Sequence, residues 1–279
     1  MLASFLLSLR EGLEAALIIG IVLGSLQKLH RSDLAPTVWA GAISAIVVSI
    51  ATGVGLYFIG FELEGRAEMI FEGITMFLAA GVLTWMIFWM NRQSRNIKGE
   101  LEAGVAKKVT TTDKRGLFWL AFLAVVREGI ELALFLTAAA FASTTQSTVI
   151  GALLGVGTAA LLGWSLFASI LRLDLRRFFQ VTGVLLILFA AGLVAHGVHE
   201  LNEAAIIPVV VDHIWDLKNL IPETSFIGAI LKTLFGYSPN PSLTEMLAYF
   251  GYLAAVMIGL RMANKRVEKT GALATRSQA

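Results

Sequence analysis

Long apolar runs broken by short polar stretches dominate the chain. A helix needs about 20 predominantly apolar residues to cross the hydrocarbon core of a bilayer. Seven runs meet that length: 2–26, 37–60, 68–90, 117–141, 148–171, 178–195 and 243–261. All five prolines (Pro36, Pro208, Pro222, Pro239 and Pro241) fall outside the interiors of these runs, as their missing N–H prefers. Ser242-Leu-Thr-Glu245 reads as a capping box that opens the last helix. The run Ile206-Ile-Pro-Val-Val-Val211 is too short to span. It suits a re-entrant or interfacial element, or a docking surface.

Composition turns these runs into membrane spans. The chain is 57% hydrophobic and 15% charged, with a mean hydropathy of +0.76, whereas soluble domains carry about 25% charged residues. A water-soluble globule of 279 residues cannot hide that much apolar surface. The expected fold is therefore an all-α polytopic membrane protein whose lipid partner is the bilayer. One seven-helix domain covers 1–262, and a tail covers 263–279. Zero cysteines exclude disulfides, Cys-based zinc sites, a Cys nucleophile and c-type haem attachment. The N-terminus lacks a basic segment and a small-residue cleavage site, so Met1 onward reads as mature protein. The net charge of +2 is unevenly spread and gives no reason to expect a nucleic-acid partner.

Cytoplasmic loops retain Lys and Arg, and 17 of the 22 basic residues fall in alternate connections and the tail. The opposite connections hold only Arg66, Lys218 and Lys232. This places the N-terminus outside and the C-terminus inside. The remaining two, Arg10 and Arg127, lie within spans.

Those two open a duplicated motif. Arg10-Glu11-Gly12-Leu13-Glu14 in the first run recurs as Arg127-Glu128-Gly129-Ile130-Glu131 in the fourth, an offset of 117. The second and fifth runs share Thr37-Val38 and Thr148-Val149, and the third and sixth share Ala79-Ala80-Gly81 and Ala190-Ala191-Gly192, both at 111. Repeat one (1–92) and repeat two (115–203) thus hold three spans each and run oppositely through the membrane. An external segment (204–241) and a seventh helix (242–262) follow. Inverted repeats build many secondary transporters, with the substrate site near the midplane where the halves meet. The pairs Gly20/Gly24 and Gly151/Gly155 permit close packing inside the bundle or between protomers of a homo-oligomer.

Glu14 and Glu131 fall about 18 and 21 Å into their helices, near mid-bilayer. Six ionisable residues at the centre sum to a penalty on the order of 15–20 kcal/mol on insertion scales, so they must pair, protonate or face a hydrated cavity. Arg and the second Glu of each motif are four apart, and the two Glu are three apart on one face. With all six ionised, the facing motifs carry net charge −2, which a bound cation balances. Carboxylate oxygens favour hard cations such as iron, manganese, magnesium or calcium over copper(I).

A second group lies at the outer face. Glu64, Glu68 and Glu72 form a stripe spaced by four, with Glu62 beside it, and His196, His199, Glu200 and Glu203 follow the sixth run. Glu62 and Glu64 read as solvated loop; Glu68 and Glu72 sit further into apolar sequence. An acidic mouth concentrates cations, and imidazole widens the metal range toward iron, zinc or nickel. Met76, Trp85, Met86, Trp89 and Met90 read as packing residues.

The doubled motif in a seven-span chain resembles the oxidase-dependent iron transporter family, which includes fungal permeases paired with a multicopper ferroxidase and bacterial EfeU-type permeases; the latter fit better. The likeness extends through Phe71-Glu72-Gly73-Ile74, Leu83-Thr84-Trp85-Met86, Phe88-Trp89-Met90, Ser94-Arg95-Asn96 and Phe235-Gly236-Tyr237, leaving only the tail unmatched. It implies high-affinity iron import across a bacterial cytoplasmic membrane, with Glu11, Glu14, Glu128 and Glu131 carrying the ion and Glu68 and Glu72 at the mouth. The family's local His-Glu-Ala-Gly reads Asn202-Glu203-Ala204-Ala205 here. Glu203 is therefore carried over, while His196 and His199 rest on chemistry alone. An extracytoplasmic iron-binding or iron-oxidising partner is implied. The chain has no haem, copper or flavin motif, so iron is expected as substrate and no cofactor as a permanent resident. Two other readings stand beside this one. The same fold could serve manganese or lead. An intramembrane metalloenzyme could use His196, His199 and Glu200, although His-x-x-His-Glu departs from the helical zincin spacing of two His four apart.

Overall fold

Polar punctuation decides where the helices of the computed structural model begin and end. It describes residues 1–93, 103–105, 107–108, 113–167, 174–209, 211, 214, 225, 228, 231–232 and 235–276. The C-terminal end of the fifth run, Ser94-Arg95-Asn96, the basic residues Arg95, Lys98, Arg172 and Lys218, and most of segment 204–241 lie outside the described residues. Among the described residues there are seven long helices and no strand: α1 (Leu2–Lys28), α2 (Ala35–Glu62), α3 (Arg66–Gln93), α4 (Lys114–Phe141), α5 (Thr145–Phe167), α6 (Leu175–Glu203) and α7 (Leu243–Arg276).

The helix starts follow ordinary capping chemistry. Asp113 accepts from the Gly116 N–H at 2.8 Å before α4, and Asp174 accepts from the Arg177 N–H at 3.2 Å before α6. Before α7, Ser242 Oγ accepts from the Glu245 N–H at 3.2 Å and donates its hydroxyl to Glu245 Oε1 at 2.9 Å. Pro36 sits in the first turn of α2, where no N–H is needed.

Among the described residues, five stretches are long and apolar enough to cross a membrane: Ser32–Gly60, Arg66–Met90, Thr145–Leu166, Arg177–Glu203 and Leu243–Met262. The other two long helices, α1 and α4, carry the motif charges in their middles. Most helices overrun their apolar runs by a few residues, and three of these boundaries matter here. α3 starts at Arg66, so Glu68 belongs to its first turn. α6 continues eight residues past Ala195 to Glu203, placing His196, His199, Glu200 and Glu203 on the helix itself. Polar residues do not end a helix whose caps lie further on. The backbone of α7 stays helical to Arg276, well into the expected tail. Of the external segment, residues 211 and 214 are tied to the start of α7 by Leu243 N–H to Val211 O at 3.1 Å and Ile214 N–H to Pro241 O at 3.2 Å.

Packing interlocks the two repeats. The most extensive interfaces are α1 with α5, α2 with α4 and α3 with α6, and α1 also crosses α4. This pattern is unchanged when α1–α3 are exchanged with α4–α6. Side chains show the same relation in detail. Gly41 on α2 abuts Phe118 O and Ala121 of α4, while Gly151 on α5 abuts Met1 O and Ser4 of α1. Gly12 on α1 faces Ala159 of α5, and Gly129 on α4 faces Ser49 of α2. Gly41 and Gly151, like Ser49 and Ala159, are 110 residues apart. The middle helices are thus related at 110, one residue off the register suggested by Thr37-Val38 and Thr148-Val149. Environments agree with the correction: Val38 is buried, Val149 is half exposed and Thr148 is buried. Gly155 also packs into this interface, against Phe5 O and Ser8, whereas Gly24 has nothing close. Small residues let backbones approach where lipid removes the hydrophobic drive between helices.

Between Leu2 and Leu29, α1 exposes no large apolar side chain, whereas α2, α5 and α7 expose many, including Trp39, Ile43, Leu153, Trp164, Leu247 and Phe250. α1 is therefore the central helix. Ala79, Ala80, Ala190 and Ala191 are buried, which accounts for the shared triplet of α3 and α6.

α6 ends in a Schellman motif: Ala205 N–H bonds Asn202 O and Ile206 N–H bonds Leu201 O, each at 2.9 Å. Ala205 pays for it with φ +53°, a conformation glycine takes without strain, and the related local pattern has Gly there. Ala205→Gly is expected to raise stability by about 1 kcal/mol, read as a higher melting temperature of the detergent-purified protein.

Candidate metal centre

The crossing of α1 and α4 brings the two motifs face to face. Glu11 from α1 and Glu128 and Glu131 from α4 each offer a carboxylate oxygen, all within 4.8 Å of one another, and all three residues are buried. Helical periodicity explains the pair on α4, since positions three apart share a face. The third ligand needs the crossing. Gly12 and Gly129 face away from that crossing and seat each motif helix on the middle helix of the other repeat: a Cβ on Gly12 would come within 2.7 Å of Ala159 Cβ on α5, and Gly129 lies against Ser49 of α2. Of the four glutamates expected together, Glu14 stands aside. It pairs with Arg10 at 3.3 Å, near enough to Glu128 and Glu131 to repel both.

The arginines have different surroundings. Arg10 is 1% exposed, with Nη1 3.5 Å from Glu11 Oε1 and Nη2 3.3 Å from Glu14 Oε1. The same nitrogens donate to Met86 Sδ at 3.1 Å and Met90 Sδ at 3.0 Å. Arg127 is 35% exposed and donates from Nε to Glu131 Oε1 at 3.0 Å, with Glu128 Oε1 at 4.0 Å. Its guanidinium carbon lies 4.4 Å from the ring centre of Trp89 and 5.5 Å from that of Trp85. Glu11 Oε2 and Glu131 Oε2 are buried without a hydrogen-bond partner, and Glu14 Oε1 has only its ion pair with Arg10. Buried carboxylate oxygens left open in this way suit a cation, which would satisfy several at once.

Where the start of α3 meets the end of α6, Glu68 and Glu72 lie close enough to Glu200 to repel, and Glu200 in turn neighbours Glu203 and His199. His199 Nε2 lies 3.3 Å from Glu203 Oε1, and Nδ1 donates to Glu245 Oε1 at 3.1 Å. Glu245, expected only to cap α7, therefore also ties α7 to α6. His196 turns elsewhere: its Nδ1 bonds Gly192 O at 3.1 Å, and it lines a cavity with Met1, Ser4, Ser143, Thr148 and Lys232. The two histidines do not converge. Among the described residues, Glu11, Glu128 and Glu131 are the one group of three or more metal-type ligands brought together.

Comparison with known proteins decides the family. The sequence pattern of the iron permease FTR1 family matches residues 1–270. The chain belongs to that family. It is 33% identical over 279 residues to the ferrous iron permease EfeU of Shigella sonnei (strain Ss046), covering 99% of this chain and 100% of that protein. The putative inactive ferrous iron permease EfeU of Escherichia coli (strain K12) matches equally, at 33% with 99% and 100% coverage. The ferrous iron permease EfeU of Yersinia pestis is 33% identical over 260 residues, 92% of each chain. No solved structure matches.

As an FTR1 iron permease, the chain is a multi-pass membrane transporter and not an enzyme. Trp85, Met86, Trp89 and Met90 were expected only to pack, yet they hold the motif arginines. Their signal was present in the sequence as one wide face of α3, at positions 85, 86, 89 and 90, but nothing in it names the arginines as their partners. The burial difference also predicts unequal costs. Arg10→Met leaves two glutamates without their countercharge in a closed site and is expected to cost about 3–5 kcal/mol. Arg127→Met, in a half-open site, is expected to cost clearly less. Thermal unfolding of both purified variants in one detergent checks the order.

Proposed function

We propose that this FTR1 family member imports ferrous iron across a bacterial cytoplasmic membrane through the carboxylates of its two Arg-Glu-Gly-x-Glu motifs. The observation that carries the reading is the meeting of Glu11 with Glu128 and Glu131, ligands from both halves within 4.8 Å of one another at a buried crossing. Four motif glutamates against two arginines leave a formal charge of −2, which a divalent ion neutralises and a trivalent ion exceeds. The EfeU relatives are named ferrous permeases, in keeping with that count.

In this reading all seven long helices cross the membrane, with the N-terminus outside and the C-terminus inside, and the exchangeable packing of α1–α3 and α4–α6 reflects an inverted repeat. Iron is captured at Glu68, Glu72, Glu200 and Glu203, with His199 held among them. It then passes to Glu11, Glu128 and Glu131, with Glu14 completing the path. Rocking of the halves exposes the centre to each side in turn. Intramembrane carboxylates also serve as proton relays, so proton exchange supplies a driving force. An extracytoplasmic iron-binding protein delivers the ion. Manganese shares iron's preference for carboxylate oxygen and is the natural competitor.

The test is labelled ferrous iron uptake into import-deficient cells making the parent or the Glu14→Gln/Glu131→Gln variant at matched membrane levels. The parent is expected to import iron and the variant to lose at least about tenfold of the rate, as removal of buried ligands from a charge-balanced site would do. Uptake by both sinks the glutamate roles. Preference for labelled manganese over iron in the parent overturns the choice of ion.

A further inference from the structure

One face of α3 holds both motif arginines, by two different chemistries. Met86 and Met90 accept from the two terminal nitrogens of Arg10, at 3.1 and 3.0 Å, and that guanidinium is almost wholly enclosed. Trp89 and Trp85 offer ring faces to Arg127, at 4.4 and 5.5 Å from its guanidinium carbon. Arg127 is a third exposed, and its salt bridges run to Glu131 and Glu128. Those are two of the three carboxylates that come together with Glu11.

A metal ion and Arg127 therefore compete for the charge of the same two carboxylates. If the ion takes Glu131, the guanidinium loses its closest partner in a region where an unpaired charge is costly. An aromatic face offers a second place for a cation, and it needs no proton and no water. Arg10 has no comparable freedom, since its thioether partners and two glutamates enclose it on the central helix.

We propose that Arg127 is a tethered counter-cation that occupies Glu131 until the metal arrives, and that Trp89 and Trp85 are positioning residues that hold its charge once it yields. The two motifs then have unequal tasks. The α1 copy is a fixed wall of the site, and the α4 copy exchanges its internal cation for the transported one. Trp89 carries more of this than Trp85, being closer. The proposal rests on the reading of Glu11, Glu128 and Glu131 as the iron position.

The test measures ferrous iron uptake against concentration for the parent, Trp89→Leu, Trp89→Phe, Trp85→Leu and Arg127→Met/Trp89→Leu, each normalised to protein in the membrane. Without its ring face Arg127 stays on Glu131, so Trp89→Leu is expected to raise KM about tenfold, with a smaller change in maximal rate. Trp89→Phe should recover most of the loss, and Trp85→Leu should show a smaller rise. In the Arg127→Met background, compared with Arg127→Met alone, Trp89→Leu should no longer change KM. A KM unaltered by Trp89→Leu overturns the proposal. So does an equal effect of Leu and Phe, or one that persists without Arg127, because each marks Trp89 as packing only. If Trp89→Leu fails to reach the membrane, the Phe and Trp85→Leu variants decide on the same KM criterion. Glu131→Gln assayed alongside separates the two levels: normal uptake by that variant removes the iron position itself, whereas loss there with parental KM in the Trp variants removes only the exchange.

Discussion

Six ionisable side chains at the crossing of two apolar helices are the constraint on which the rest depends. A charge in such a place must be met by an opposite charge, a polarisable neighbour or an ion, and the structure uses the first two for the arginines. It leaves carboxylate oxygens over: Glu11 Oε2 and Glu131 Oε2 are buried with no partner. The crossing must then be close enough for Glu11 to reach Glu128 and Glu131. Gly12 against Ala159 of α5 and Gly129 against Ser49 of α2 pack each motif helix tightly on its other neighbour. The interlocking of α1 with α5 and α2 with α4 follows from the same requirement, since each motif helix is flanked by the middle helix of the other repeat.

Symmetry explains the frame and its breaking explains the chemistry. The two motifs are identical at four of five positions, yet Arg10 is enclosed by thioethers and Arg127 lies against indole rings at a half-open edge. One helix, α3, makes both contacts. Its counterpart α6 carries His199, Glu200 and Glu203 toward the end of its length instead, where they join Glu68 and Glu72. This acidic group is braced by His199, which spans from Glu203 to Glu245 and so couples α7 to the bundle. α7 stands outside the repeat but is not an isolated addition.

Several features of this protein were decided by sequence alone. An all-helical chain with long apolar elements follows from composition and run length, and the doubled Arg-Glu-Gly-x-Glu picks out the central charges, because periodicity places residues three and four apart on one face whatever the surroundings. Packing between helices was not readable in that way. Only the tertiary structure decided that Glu11 joins Glu128 and Glu131 while Glu14 remains with Arg10. It also set the middle helices in register at 110 residues, turned His196 away from His199, and gave Glu245 a partner beyond its own cap. The physical reason is common to all of these. Local sequence fixes the face on which a side chain lies, whereas the depth and rotation at which two helices meet depend on small residues distant in the chain, and an error of one residue turns a helix by about 100°.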